Sequence, residues 1–218
     1  MNLKILSLVI IGVCILLPDV CYAFLSKDVH LLNMQNGLAD NTVSAVYKDK
    51  EGFIWFGTRN GLSRYDGRRI TNFERSRSYP SISNLKEVFD GVLAFVDNGV
   101  FSAFDLKKER FLSVVSSSGQ GIPSRGMLQR NDSLVWVISG SELHLMKRCA
   151  SKEGELRLRV QEKYTGWNNQ DNLLVAITYS SDKKSICLID EKGRIILLDA
   201  TNLNSFRVID LGVSVVCL

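Results

Sequence analysis

One pattern recurs along this chain and limits what it can fold into: a short apolar strand, a glycine-based hairpin turn, an alternating strand, then an aspartate. Its fullest form is GFIWFGTRNGLSRYDG, residues 52–67. Val43 to Lys48 alternates in polarity, FIWFG is a short apolar run, LSRYD alternates again, and Arg69 to Phe73 follows. Each reads as a strand. The separators are turn chemistry. Asp49-Lys50-Glu51-Gly52 suits a four-residue hairpin loop, and Asn60-Gly61 and Asp66-Gly67 supply the positive φ angles of type I′ turns. Three tight hairpins in succession predict a four-stranded antiparallel meander of about 30 residues.

The unit returns three times. In DGVLAFVDNGVFSAFDLKKERFLSVV the Asp90-Gly91 turn, the run Val92 to Val96, the Asn98-Gly99 turn and Phe104-Asp105 keep the same order. DSLVWVISGSELHLM places Trp136 where the first unit has Trp55, and KSICLIDEKGRIILLD carries Gly193 and Asp199 where the first has Gly61 and Asp66. From Trp55, the aligned positions Leu93, Trp136 and Cys187 follow at intervals of 38, 43 and 51 residues. A drifting period near 40 residues predicts an all-β fold, a β-propeller of four-stranded antiparallel blades. The expected blades are approximately 40–75, 82–116, 125–161 and 171–210, with a partial blade beyond. Trp55, on a central strand, is expected between adjacent sheets, a burial that stabilises by about 1.5–3 kcal/mol.

The N-terminus predicts export. Lys4 precedes an uncharged run from Ile5 to Leu17, and Cys21-Tyr22-Ala23 ends in the small residue that signal peptidases need. The run is shorter than the roughly 20 apolar residues of a membrane span, so residues 1–23 read as a cleavable signal peptide and 24–218 as an exported domain. Cleavage leaves Cys149, Cys187 and Cys217 in apolar settings, which suit packing better than a disulfide framework or metal site. A net charge of +4 spread over 27 basic and 23 acidic residues gives no nucleic-acid signature.

Asn36 to Glu74 resembles the two-component regulator propeller repeat. The matching positions are Gly37, Leu38, Asn41, Val43, Asp49, Gly52, Ile54, Trp55, Gly57, Thr58, Gly61, Leu62, Tyr65, Asp66 and Gly67. The second unit lacks the Trp and the Gly-Thr pair, the third keeps Trp136 without Gly-Leu, and the fourth keeps Gly193 and Asp199. The resemblance implies the periplasmic sensor region of a Bacteroidetes-type hybrid two-component system that combines histidine kinase and response regulator. The implied role is to sense polysaccharide fragments and signal to a kinase outside this chain, the parent protein residing in the inner membrane. The family's propellers have seven blades, whereas the 195 residues after Ala23 hold four and the start of a fifth. The chain is therefore expected to be a fragment, with a small closed four-bladed ring as the alternative. The family also implies that VHLLNMQNGL holds a strand completing the last blade. An open ring would leave that strand, Val29 to Asn33, unpaired and expose sheet edges to self-association.

Catalytic constellations are missing from the sequence. His30 and His144 stand apart, no nucleophile elbow, zinc-protease motif or phosphate loop occurs, and Asp49, Asp66, Asp105 and Asp199 all fall at turns or strand ends. The chain is expected to need no metal or cofactor and not to be an enzyme. An exported propeller lyase or glycosidase would need clustered His or carboxylates, and a scaffold or inactive truncated fragment is the other alternative. In a meander, the second hairpin loop of every blade shares a face with the connection to the next. That face gathers the candidate ligand-binding residues Arg59, Asn60, Asp97, Asn98, Ser141 and Glu142, together with Glu191-Lys192 and the connection Arg75 to Ser83. Their polarity suits a hydroxyl-rich or anionic oligosaccharide.

Overall fold

The computed structural model describes residues 31–74, 82–167 and 172–212. Its contacts separate Met1–Leu32 from a second body that begins at Asn33. Of the first unit only Leu31 and Leu32 are described. The expected signal peptide therefore lies outside the described residues, as does the start of the expected closing strand. Asn33 caps a 3-10 turn, Met34–Asn36.

The second body is built from β-hairpins. Blade 1 comprises β1 (Val43–Lys48), β2 (Ile54–Thr58), β3 (Gly61–Tyr65) and β4 (Ile70–Glu74). Blade 2 comprises β5 (Ile82–Phe89), β6 (Val92–Asp97), β7 (Val100–Asp105) and β8 (Arg110–Ser116). Blade 3 comprises β9 (Gly126–Asn131), β10 (Leu134–Ser139), β11 (Glu142–Cys149) and β12 (Glu155–Tyr164). Blade 4 comprises β13 (Leu174–Tyr179), β14 (Ser185–Asp190), β15 (Arg194–Asp199) and β16 (Phe206–Asp210). Within each blade the strands pair antiparallel in chain order. First strands adjoin in sequence, β1 on β5, β5 on β9 and β9 on β13, so they are the innermost strands. Four blades packed face to face in chain order make an incomplete β-propeller.

Burial follows each blade's place in the array. All six residues of β6 are buried, because blade 2 has a neighbour on both faces. On β14 of blade 4 only Ile186, Leu188 and Asp190 are buried, at every second position. Three cores fill the spaces between blades. Trp55, Leu62, Leu93, Phe95 and Phe104 join blades 1 and 2. Val88, Ala94, Met127, Val135 and Val137 join blades 2 and 3, while Trp136, Ile138, Ile186 and Leu188 join blades 3 and 4.

The repeat alignment is off by one residue in blade 2. Leu93, the position the repeat aligns with Trp55, points back at blade 1 and shares its core, while Ala94 faces blade 3. Period-2 strands make such a slip reverse the face. A second departure concerns the sheets. The outer strands of blades 2 and 3 pair in parallel, Glu155 with Ser113 through Leu158 with Ser116, and merge the two blades into one eight-stranded sheet. The pairing is parallel because every fourth strand runs the same way along its blade. Glu153 pins the junction by accepting from both Lys108 and Arg110 at 2.9 Å.

The turns of blade 1 also differ from expectation. Asn98 and Gly99 both take positive φ, 49° and 77°, as a type I′ turn requires. In the Asn60-Gly61 and Asp66-Gly67 turns only the glycines do, at 119° and 94°. Side chains hold these loops instead. The Thr58 hydroxyl donates to Gly61 O and accepts from Asn60 N, while Asp66 Oδ1 accepts from Arg68 N and Arg69 N.

Residues 33–41 lie across the other face of blade 1. Asn72 Nδ2 donates to Gly37 O at 2.9 Å, Asn60 Nδ2 to Ala39 O at 3.0 Å, and Ala39 N to Ser63 Oγ at 3.1 Å. Leu38 is buried there. The Gly-Leu of the first unit thus helps fasten a strap onto the sheet, while Asn41 Oδ1 accepts from Met34 N within the strap.

Several carboxylates have gained partners in the fold. Backbone hydrogen bonds from Arg69 and Arg68 lower the Asp66 pKa, Lys108 and Arg110 lower that of Glu153, and Thr201 lowers that of Asp199. A depressed folded pKa adds stability above the unfolded carboxylate range that disappears as pH falls through the folded value. Urea midpoints are therefore expected to fall steadily from about pH 6 to about pH 3. A flat profile would show that these exposed bonds contribute nothing.

Candidate functional site

The six expected ligand residues sit on the second hairpins of blades 1, 2 and 3, one loop each. Arg59, Asn60 and Asn98 are exposed, Ser141 and Glu142 are half-buried, and Asp97 is fully buried. Two of them already have structural duties. Asn60 holds the strap through Ala39 O. Glu142 Oε2 lies 2.6 Å from His144 Nε2 and 3.5 Å from Lys163 Nζ, and the His144 bond, helped by the Lys163 charge, lowers the Glu142 pKa. Of the connection Arg75 to Ser83, residues 75–81 lie outside the described residues.

At the opposite end of the blades, first and third hairpin loops enclose a cleft of about 460 Å³ between blades 1 and 2. None of the six residues lines it. Its size falls within the range of small-molecule sites, about 300–1,000 Å³. Phe53, Trp55 and Leu106 supply its apolar lining. Hairpin geometry places them, since Asp49 Oδ1 accepts from Glu51 N and Phe53 N and fixes the turn that carries Phe53. Asp49 Oδ2 accepts from Trp55 Nε1 at 2.8 Å, so the same carboxylate orients the indole.

Arg64, on β3, occupies the centre of the aromatic cluster. Its guanidinium carbon lies 4.9 Å from the Phe53 ring centroid, 5.5 Å from Trp55 and 5.6 Å from Phe73. Such stacking pre-organises a planar cation. Nη1 donates to Glu109 Oε1 at 2.6 Å. The two partners are unequally sheltered: the Arg64 side chain is 19% exposed and that of Glu109 47%. Across the cleft, Lys50 Nζ is 3.2 Å from Glu87 and 3.8 Å from Asp90, and Lys107 Nζ is 3.3 Å from Asp90. The hydrogen bond to Glu87 raises the Lys50 pKa. The walls thus alternate donors and acceptors over an aromatic base.

Sequence reasoning missed this cleft because Arg64 and Glu109 are 45 residues apart and neither is a matched position of the repeat. The available signal was Arg64 on the same strand face as its cross-strand neighbour Trp55. Among the described residues, no group of three or more His, Cys, Asp or Glu could hold a metal ion.

Comparison with known proteins gives one short family match and several likenesses of fold. Residues 37–60 match the family model Two component regulator propeller. That stretch is similar to a two component regulator propeller repeat. The matched stretch runs from the strap through β1 and β2 to the second hairpin of blade 1. No curated protein matches the chain. Among solved structures, the propeller is similar to the extracellular domain of B. thetaiotaomicron BT3049, assigned to a hybrid two component system. That likeness has a TM-score of 0.63 and 16% identity over 84% of this chain and 24% of the other. It is similar also to the extracellular domain of BT4673 from the same organism, assigned to a one component system, with TM-score 0.61 and 14% identity over 85% and 28%. PorZ, a surface component of the type-IX secretion system of Porphyromonas gingivalis, gives TM-score 0.63 and 11% identity over 86% and 25%. The chain spans about a quarter of the length of these structures, and at such identities the likeness is one of propeller fold.

Proposed function

We propose that this propeller is the ligand-sensing segment of an exported hybrid two-component regulator, binding an oligosaccharide and passing its occupancy to a histidine kinase elsewhere in the full protein. The match of residues 37–60 to the regulator propeller carries the reading. The fold likeness to extracellular domains of B. thetaiotaomicron regulators supports it, as does the apolar run before Ala23 for a periplasmic location. Two ends of the blade array present polar groups to such a ligand: the rim carrying Arg59 and Asn98, and the aromatic cleft between blades 1 and 2.

A thermal-shift screen against an oligosaccharide panel tests the reading. A ligand at one hundred times its Kd stabilises by about 2.7 kcal/mol. For a domain of this size that raises Tm by about 5–10 °C. No shift with any member of a broad panel would favour a scaffold without a ligand. Joint substitution R59A and N60A is expected to abolish the shift if the rim is the anchor, and retained binding would remove these two residues from the site.

A further inference from the structure

We infer that Arg64 is a carboxylate-binding site whose occupant, in the structure as it stands, is the chain's own Glu109, and that an acidic sugar enters the cleft by exchanging its carboxylate for that of Glu109. The inference rests on the sensor reading and gives it a location and a ligand class. Three observations carry it.

Arg64 is already built to receive a carboxylate. Its guanidinium is stacked among Phe53, Trp55 and Phe73 at 4.9–5.6 Å, so little rotamer entropy remains to be lost on binding. Its partner is built to leave. Glu109 comes from the neighbouring blade, its side chain is 47% exposed, and its backbone is left-handed with φ 49°. Glu109 is the half-exposed end of the pair, so a ligand that also covers apolar surface can displace the acid while Arg64 stays in place. The space beside the guanidinium suits a sugar ring. Phe53 and Leu106 offer apolar surface, and Lys50, Asp90 and Lys107 offer hydrogen-bond donors and acceptors for hydroxyls.

The charge balance selects the exchange over simple addition. Five acids line the cleft, Asp49, Glu51, Glu87, Asp90 and Glu109, against the cations Lys50, Arg64 and Lys107. A free anion added to this set would be repelled. Exchange keeps the net charge of the cleft constant, because the Glu109 carboxylate swings into solvent as the ligand carboxylate takes its place. Glu87 and Asp90 stay compensated by Lys50 and Lys107, and Asp49 is committed to its turn and to Trp55.

Titration calorimetry of the chain with glucuronate, and with glucose as the uncharged counterpart, tests the proposal. Glucuronate is expected to bind and glucose to bind at least about tenfold more weakly, the loss of a charge-assisted hydrogen bond. E109Q removes the internal competitor and is expected to tighten glucuronate about two- to fivefold. R64K keeps the charge but loses the planar fork and is expected to weaken it about tenfold. Circular-dichroism melts of both variants check that the fold persists, and E109Q supplies a gain that misfolding cannot imitate. Unchanged or weaker glucuronate binding by E109Q would overturn the proposal, as would equal affinity for glucose. Oligosaccharide binding that ignores Arg64 and Glu109 but needs Arg59 and Asn60 would refute this site and leave the sensor reading standing. Absence of binding to any sugar would refute both.

Discussion

Replacing Trp55 by alanine is expected to remove about 3–5 kcal/mol of stability, the range for a fully buried tryptophan. Only 1% of Trp55 is exposed, and its ring lies 5.6 Å from Phe73 and 5.5 Å from Phe104, joining blade 1 to blade 2. Domains of this size are stable by about 5–15 kcal/mol in all, so the loss is a large share of the total. Trp55 and Trp136 provide an internal comparison. Trp55 Nε1 donates to Asp49, whereas Trp136 Nε1 finds no acceptor among the described residues. W55F leaves a half-buried carboxylate oxygen short of a donor and is expected to cost about 1 kcal/mol beyond the change in ring size. W136F carries no such term. Urea denaturation of both variants measures the difference, and a larger loss for W136F would contradict the role given to Asp49.

Valine at position 57 is expected to be nearly as damaging, although Gly57 makes no side-chain contact of its own. A Cβ there would lie 2.5 Å from Ile82 Cγ2 and 3.2 Å from Ala45 Cβ. No real Cβ sits so close, so β5 of blade 2 would have to move away from β2. Overpacking of this kind costs about 1–3 kcal/mol or more. G57V combined with I82A relieves the principal clash and is expected to recover part of the loss. If G57V melts like the wild-type chain, the close approach of blades 1 and 2 is wrong.

These two residues show how the fold was legible. Gly57 and Trp55 stand in the best-preserved unit of the repeat, where strand alternation and turn residues agree, and the strands form where that agreement predicts. Blade 2 is where the repeat misled. It has no tryptophan to fix the register, so an apolar run buried on both faces, Val92 to Val96, gave no sign of which residues face forward. The parallel join of β8 and β12 could not be read either, because outer strands of separate blades carry no local signal for each other. Turn chemistry was legible in kind and misread in detail at Asn60, whose side chain fastens Ala39 instead of forming a left-handed turn.

The candidate site was harder to read because it depends on pairs remote in sequence. The rim residues were chosen by loop position alone. The cleft arises from the packing of two blades and brings Asp49, Arg64 and Glu109 together through long-range contacts. A turn aspartate proved to do more than form its turn, since Asp49 also orients the tryptophan that lines the cleft.

Binding without turnover is the central claim, and equilibrium dialysis of the chain against an acidic and a neutral oligosaccharide pool, with both compartments analysed by mass spectrometry, tests it most directly. The account predicts saturable retention of a subset of oligosaccharides, recovered at unchanged mass. Shortened or eliminated products in the protein compartment, or no retention at all, would contradict it.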